Sequence, residues 1–284
     1  MKTKRSNQMV TSNDINFVLD EIEKDKRVKI LYACEAGSRA WGFESNDSDY
    51  DVRFIYLNRP EWYLSISEKP RDVIEHVHKE TDLDIVGWDL RKTLRLLKKT
   101  NPALMEWLNS DIVYRSEVHF MRQLILSSME YYSPTPLLYH YLHMARGNIR
   151  EYLKGDTEVW LKKYLYVVRP LMACNWLEMF TEMPPINFQQ LYNTVIDHRL
   201  SKRIIFHQQI KDDLDDLVRR KMNGDELSFG PVIPSIQMFI REEVDRLSAI
   251  EKNGGKGWPK SNSPKNFDSL NNLLRNTLEY YKNF

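Results

Sequence analysis

An α+β protein is predicted from this sequence: a mixed sheet with flanking helices, followed by an all-α segment. Three observations carry that prediction. Segments rich in β-branched and aromatic residues lie between Val28 and Trp88. From Asp89 onward apolar residues recur at helical spacing, with no further strand signal. The 284 residues are 42% hydrophobic and 29% charged, with only 10 Gly and 12 Pro, so an extensive core is possible and wholesale disorder is excluded. The length allows one large or two modest domains, and the change of signal divides the chain into residues 1–115 and 116–284.

Ile15, Val18, Leu19 and Ile22 fall on one helical face, which predicts a helix over about 14–25 capped by Ser12, Asn13 or Asp14. Residues 28–34 form the first predicted strand, running into a turn at Gly37-Ser38. Residues 49–57, 73–78 and 83–88 form three more. Asp89 caps a helix from Leu90 to Lys99. Asn101-Pro102 opens the next helix with proline at its first position, and Ser116 caps one reaching Tyr131. Further helices are predicted over 136–154, 159–180, 188–196, 201–223, 235–250 and 267–281, with Pro170 kinking or splitting the second of these. Residues 251–265 read as a flexible loop.

Lys plus Arg number 41 and Asp plus Glu 40, a net charge of +1, so attraction to a polyanion has to come from a local patch. Two cysteines, Cys34 and Cys174, exclude a disulfide framework and a Cys-rich zinc site. The polar first residues lack an apolar leader, and no run of about 18 apolar residues occurs. A soluble cytoplasmic protein with no membrane partner is expected. The sequence specifies no oligomeric state.

The chemistry concentrates between Gly37 and Val52. On a strand, Asp49 and Asp51 project from the same face, roughly 6 to 7 Å apart at the backbone. Two such carboxylates suit Mg²⁺, a hard ion that keeps waters and is held by one or two carboxylates plus substrate phosphates. About ten residues upstream, Gly37 and Ser38 offer accessible amides and a hydroxyl to a phosphate, with Arg39 as added positive charge. Asp-x-Asp alone also occurs on solvated strand ends. Strand, Gly-Ser, spacer and Asp-x-Asp together are far more restrictive.

This combination resembles the DNA polymerase beta-like nucleotidyltransferase superfamily. More narrowly, Gly37-Ser38-Arg39-Ala40-Trp41-Gly42, Ser48 to Arg53, Gly87 to Lys92, Asn101-Pro102 with Glu106-Trp107-Leu108, and Tyr164 to Pro170 look like predicted nucleotidyltransferases associated with RNA ligases. The resemblance spans about residues 30–180. It implies a third carboxylate on a neighbouring strand, which helps hold metal and takes the proton from the attacking hydroxyl. Asp84 is the choice, being followed by Ile-Val at the expected distance from the Gly87 segment. Asp82, one alternation earlier, is the alternative.

The implied reaction is transfer of a nucleoside monophosphate from an NTP, ATP being the expected one, to an acceptor hydroxyl on RNA or a nucleotide-like molecule. Asp49, Asp51 and Asp84 would hold two Mg²⁺ ions, and Gly37 and Ser38 would position the phosphates. The helical segment would complete the cleft with Lys162, Lys163 and Arg169 facing the triphosphate and Tyr164 flanking the nucleotide. A charged solvent face is the plainer use of those cations. Which of Lys162 and Lys163 faces the cleft stays open.

Two other functions share these residues: a non-catalytic nucleotide-binding regulatory module, and a protein-modifying transferase of the toxin and antitoxin type. Other signals read as structural. Arg91, Lys92, Arg95, Lys98 and Lys99 form the wet side of a helix whose Leu90, Leu94 and Leu97 are buried, although they also offer charge to an RNA backbone. His76 with His78, and His140 with His143, lack a third ligand for zinc. Trp41 is expected to pack the short helix after Gly-Ser, and Cys34 to be buried at a strand end.

Overall fold

The structure, a computed structural model, describes residues 10–45, 48–66, 72–78, 83–155, 157–200, 204–225, 227–260 and 266–284. Helix α1 (Ser12–Lys26) opens it, and its cap is Thr11 instead of the three residues after it. The Thr11 hydroxyl accepts from the Asp14 amide, and the Asp14 carboxylate accepts from the Thr11 amide, a reciprocal capping box. Next come β1 (Lys29–Glu35), the one-turn α2 (Gly37–Ala40), β2 (Tyr50–Leu57), α3 (Pro60–Tyr63), β3 (Val73–His78) and β4 (Leu83–Asp89). Helices α4 (Leu90–Lys98) and α5 (Pro102–Leu108) are capped by Asp89 and Asn101 as predicted.

The sheet order is β3-β4-β2-β1-β5, with β2 and β4 parallel and the other pairs antiparallel. Its fifth strand, β5 (Val113–Ser116), corrects the expectation that no strand follows Trp88. Ser116 ends that strand rather than capping α6 (Val118–Tyr131), whose N-cap is Glu117. Helix α7 (Pro134–Tyr152) follows. Then β6 (Glu158–Trp160) takes the residues expected to open the next helix and pairs with β7 (Phe229–Pro231). Helices α8 (Leu161–Phe180), α9 (Phe188–Leu200), α10 (Ile204–Met222), α11 (Pro234–Lys252) and α12 (Asp268–Tyr280) complete the chain.

Strand alternation sorts the sheet into two faces. Val52, Phe54 and Tyr56 meet α1, together with Ile30, Ala33 and Ile85. Ile55 and Leu57 point the other way, into a core that contains Leu31, Cys34, Leu94 and Trp107 and continues into α7, α8, α9 and α11. Apolar packing therefore crosses residue 115 without interruption. Asp51 and Arg53 share the parity of Ile55 and Leu57, so they face the helices.

Of the two outcomes expected at Pro170, a kink or a split, the split does not occur: α8 runs through it from Leu161 to Phe180. A proline cannot donate to the carbonyl four residues back. That carbonyl, on Tyr166, accepts instead from the Asn148 side-chain amide of α7 at 3.0 Å. No described helix is long and apolar enough to cross a membrane.

Candidate active site

Asp51 is the best-anchored residue of the acidic group. Its amide donates to Glu35 Oε1 at 2.7 Å and its carbonyl accepts from the Ala36 amide at 2.8 Å, so both sides of its backbone are fixed by the end of β1. Glu35 is itself buried. It accepts from the Tyr114 hydroxyl, and its carbonyl accepts from Ser110 Oγ at 2.7 Å. Burial raises the Glu35 carboxyl above its ordinary value, and the nearby Asp51 adds to that.

Gly37 follows at a φ of +61°, a conformation that a side chain disfavours. A Cβ there would stand 1.9 Å from Asp51 Oδ2. The glycine thus makes room for a carboxylate. Ser38 and Arg39 are half-buried on the same short turn. The Arg39 guanidinium reaches back to the carbonyls of Ser48 (2.9 Å) and Asp49 (3.3 Å) and lies 3.8 Å from the Tyr50 ring centroid, so it braces the segment entering β2. Asp49 is exposed at that entrance, one residue before the strand begins.

Parallel pairing sets Asp51 opposite Asp84. Arg53 bridges them: its Nη2 donates to Asp51 Oδ1 and to Asp84 Oδ2, at 2.9 Å each. Burial raises the Asp51 carboxyl. Arg53 opposes that shift, while Asp84 and Asp49 reinforce it. Asp82 lies outside the described residues. Among the described residues no three His, Cys, Asp or Glu side chains converge on one point, and a guanidinium nitrogen occupies the space between two of the carboxylates. The donor set nevertheless fits a hard divalent ion in its chemistry: its atoms are carboxylate oxygens, and a cation already sits between two of them.

The helical residues separate into two groups. Lys163 is partly buried, with Nζ 3.7 Å from the Tyr152 ring centroid and 5.1 Å from that of Tyr166. Burial and the neighbouring Lys162 lower its pKa. Tyr166 packs edge-on against Trp41 at 5.7 Å, and the carboxylates of Asp51 and Asp49 help burial raise its hydroxyl pKa. Tyr166 therefore lies on the side of α8 nearer the acidic group, and Lys163 packs between its ring and that of Tyr152 on α7. Lys162 is exposed, with its amide donating to the Leu227 carbonyl.

Tyr164 and Arg169 are buried, each with a protein partner. Tyr164 is fully buried, and its hydroxyl accepts from the Ile233 amide. Arg169 is buried against Glu106, Nη1 to Oε1 at 2.8 Å, with its guanidinium carbon 4.4 Å from the Trp41 ring centroid. Glu106 also accepts from the Tyr141 hydroxyl and the Trp41 indole, so it joins α5, α7 and α8 to the Gly-Ser turn. Sequence reasoning missed Glu35, Arg53 and Tyr166. Tyr166 lies two residues on from the chosen Tyr164, about 200° around the helix, and both Tyr166 and Arg53 stood within quoted motifs without a role.

A Gly-Ser turn, an Asp-bearing strand and an acidic residue on its parallel neighbour are arranged as in the polymerase-beta-like nucleotidyltransferases, and this is a protein of that superfamily. The chain belongs to the RlaP family, the RNA repair pathway DNA polymerase beta family, which it matches over residues 11–276. It is 45% identical over 261 residues to the uncharacterized protein YcgL of Bacillus subtilis (strain 168), covering 92% of this chain and 94% of that one. A nucleotidyltransferase-like protein from Exiguobacterium sibiricum 255-15 aligns over 95% of this chain and 90% of its own. Its identity is 10% and the TM-score 0.31, a likeness that carries no argument.

Proposed function

We propose that this chain transfers a nucleoside monophosphate from an NTP, ATP by preference, to a hydroxyl of an RNA or nucleotide-like acceptor. One observation carries the reading: Asp51 and Asp84 stand on one rung of parallel strands, with Asp51 Oδ2 against the glycine that opens the Gly-Ser turn. Binding alone does not require a backbone cleared for a carboxylate.

Asp49, Asp51 and Asp84 would hold Mg²⁺, two ions in the full complex, which when bound offsets charge on the attacking and leaving oxygens. Gly37 and Ser38 present the turn to the phosphates, and Lys163 places a positive charge on the opposite wall. Asp84, with its side chain 44% exposed, can reach an entering acceptor and take its hydroxyl proton. The acceptor oxygen then bonds to the α-phosphorus, the α–β phosphoanhydride bond breaks, and pyrophosphate carries away the electron pair. Asp51 is pinned through its backbone, so its carboxylate needs little reorganisation as charge develops.

The test is ATP labelled at the α-phosphate, incubated with the protein and Mg²⁺ in the presence of total RNA or, separately, of cell protein. Label appearing in RNA is the expected result. Label on protein alone would point to a protein-modifying enzyme, and tight binding without transfer to a regulatory module.

A further inference from the structure

We propose that Arg53 is an internal counter-cation: it holds Asp51 and Asp84 together while no divalent ion is bound, and yields Asp51 Oδ1 when one enters with nucleotide. The inference rests on the nucleotidyl-transfer reading above and adds a residue to it.

Arg53 is anchored by more than the carboxylates. Its Nη1 donates to the carbonyls of Val52 at 3.1 Å and Asp84 at 2.9 Å, while Nη2 spans the two acids. The side chain is only 18% exposed. Its position therefore survives loss of the Asp51 bond, because the backbone carbonyls and Asp84 remain. Only a forked guanidinium makes this set of contacts, since a lysine has a single nitrogen.

The charge balance explains why such a group is present. Asp51 and Asp84 stand on one rung of the sheet with Asp49 two residues away, and a permanently charged guanidinium placed between the first two offsets the repulsion of like charges in the free protein. The same charge opposes a bare divalent ion at Asp51. A metal–nucleotide complex brings its own negative charge, so it meets less opposition than the bare ion. Arg53 thus favours the loaded complex over metal alone.

Mn²⁺ binding to the full chain, measured by electron paramagnetic resonance with and without a nonhydrolysable ATP analogue, tests this. Arg53→Gln should bind Mn²⁺ alone about tenfold more tightly than wild type, the worth of one charge-assisted hydrogen bond. Its unfolding temperature in EDTA should fall by several degrees and recover with Mn²⁺. Arg53→Lys should shift in the same direction by less, and it carries the test if Arg53→Gln does not fold. Equal or weaker Mn²⁺ binding in the folded variants, with wild type binding Mn²⁺ in the presence of the analogue, would overturn the role of Arg53 alone. Absence of Mn²⁺ binding in every protein, with and without the analogue, would overturn the nucleotidyl-transfer reading as well.

Discussion

Asp51 is held where its charge is least welcome. Its carboxyl lies above the ordinary value of 3.8 through burial and two acidic neighbours. An acid raised on folding stabilises the fold fully at pH below its unfolded value, and loses that contribution as pH rises through the raised one. Asp51→Asn, neutral throughout, should therefore abolish nucleotidyl transfer yet raise the unfolding temperature in EDTA by about 2 °C at pH 7, with a smaller gain near pH 4. Thermal melts at the two pH values check both size and sign. Asp84 and Lys163 should separate by step. Asp84→Asn should lower turnover far more than Mg-ATP affinity, because a base acts on the transition state. Lys163→Ala should weaken Mg-ATP about tenfold, or about 1.4 kcal/mol. Calorimetry alongside turnover decides between these patterns, and unchanged affinity in Lys163→Ala would take α8 out of the nucleotide site. The turn at Gly37 and the strand that carries Asp51 were legible in the sequence because both signals are local, whereas the choice of Asp84 came from the family resemblance. The Arg53 bridge was not legible, since it depends on a parallel register between segments about 30 residues apart.

At the scale of elements, α8 links the acidic site to the helical core. Helical spacing located it, but spacing does not reveal which face meets the sheet: Tyr164 is buried, and Tyr166 is the tyrosine that lies near Asp51 and Asp49. Arg169 offered a cation in the sequence and proved to be the buried partner of Glu106, a pairing that unites two of the quoted motifs. The strands missed were short. Val113 to Ser116 is an edge strand with no clean alternation of buried and exposed residues, so nothing distinguished it from a loop. Continuity through Pro170 was equally hidden, because the compensating donor comes from another helix. Asn148→Ala would leave the Tyr166 carbonyl short of that donor and should cost about 1 to 2 kcal/mol of stability. Denaturant titration would show it, and Asn148→Asp, which removes the donating amide, should be no better.

Over the whole molecule, the division read near residue 115 marks a change in secondary structure, whereas apolar packing passes straight across it. The Gly-Ser turn is held on its far side too: the Phe188 amide at the start of α9 donates to the Trp41 carbonyl, and Asn187 closes on Gly42. Parts so interlocked should unfold as one unit.

The two cysteines turn that closure into a clock. Cys34 lies at the end of β1 and Cys174 in the middle of α8, both fully buried. Burial pushes the Cys34 thiol up to about 12 and that of Cys174 well above its ordinary value, so neither is nucleophilic while the fold is shut. A thiol reagent in excess therefore counts openings, one report from beside the acidic group and one from the helical interior. Matching labelling rates at the two positions are expected of a molecule that opens all at once. Faster modification of Cys174 would show the helices breathing while the sheet stays closed.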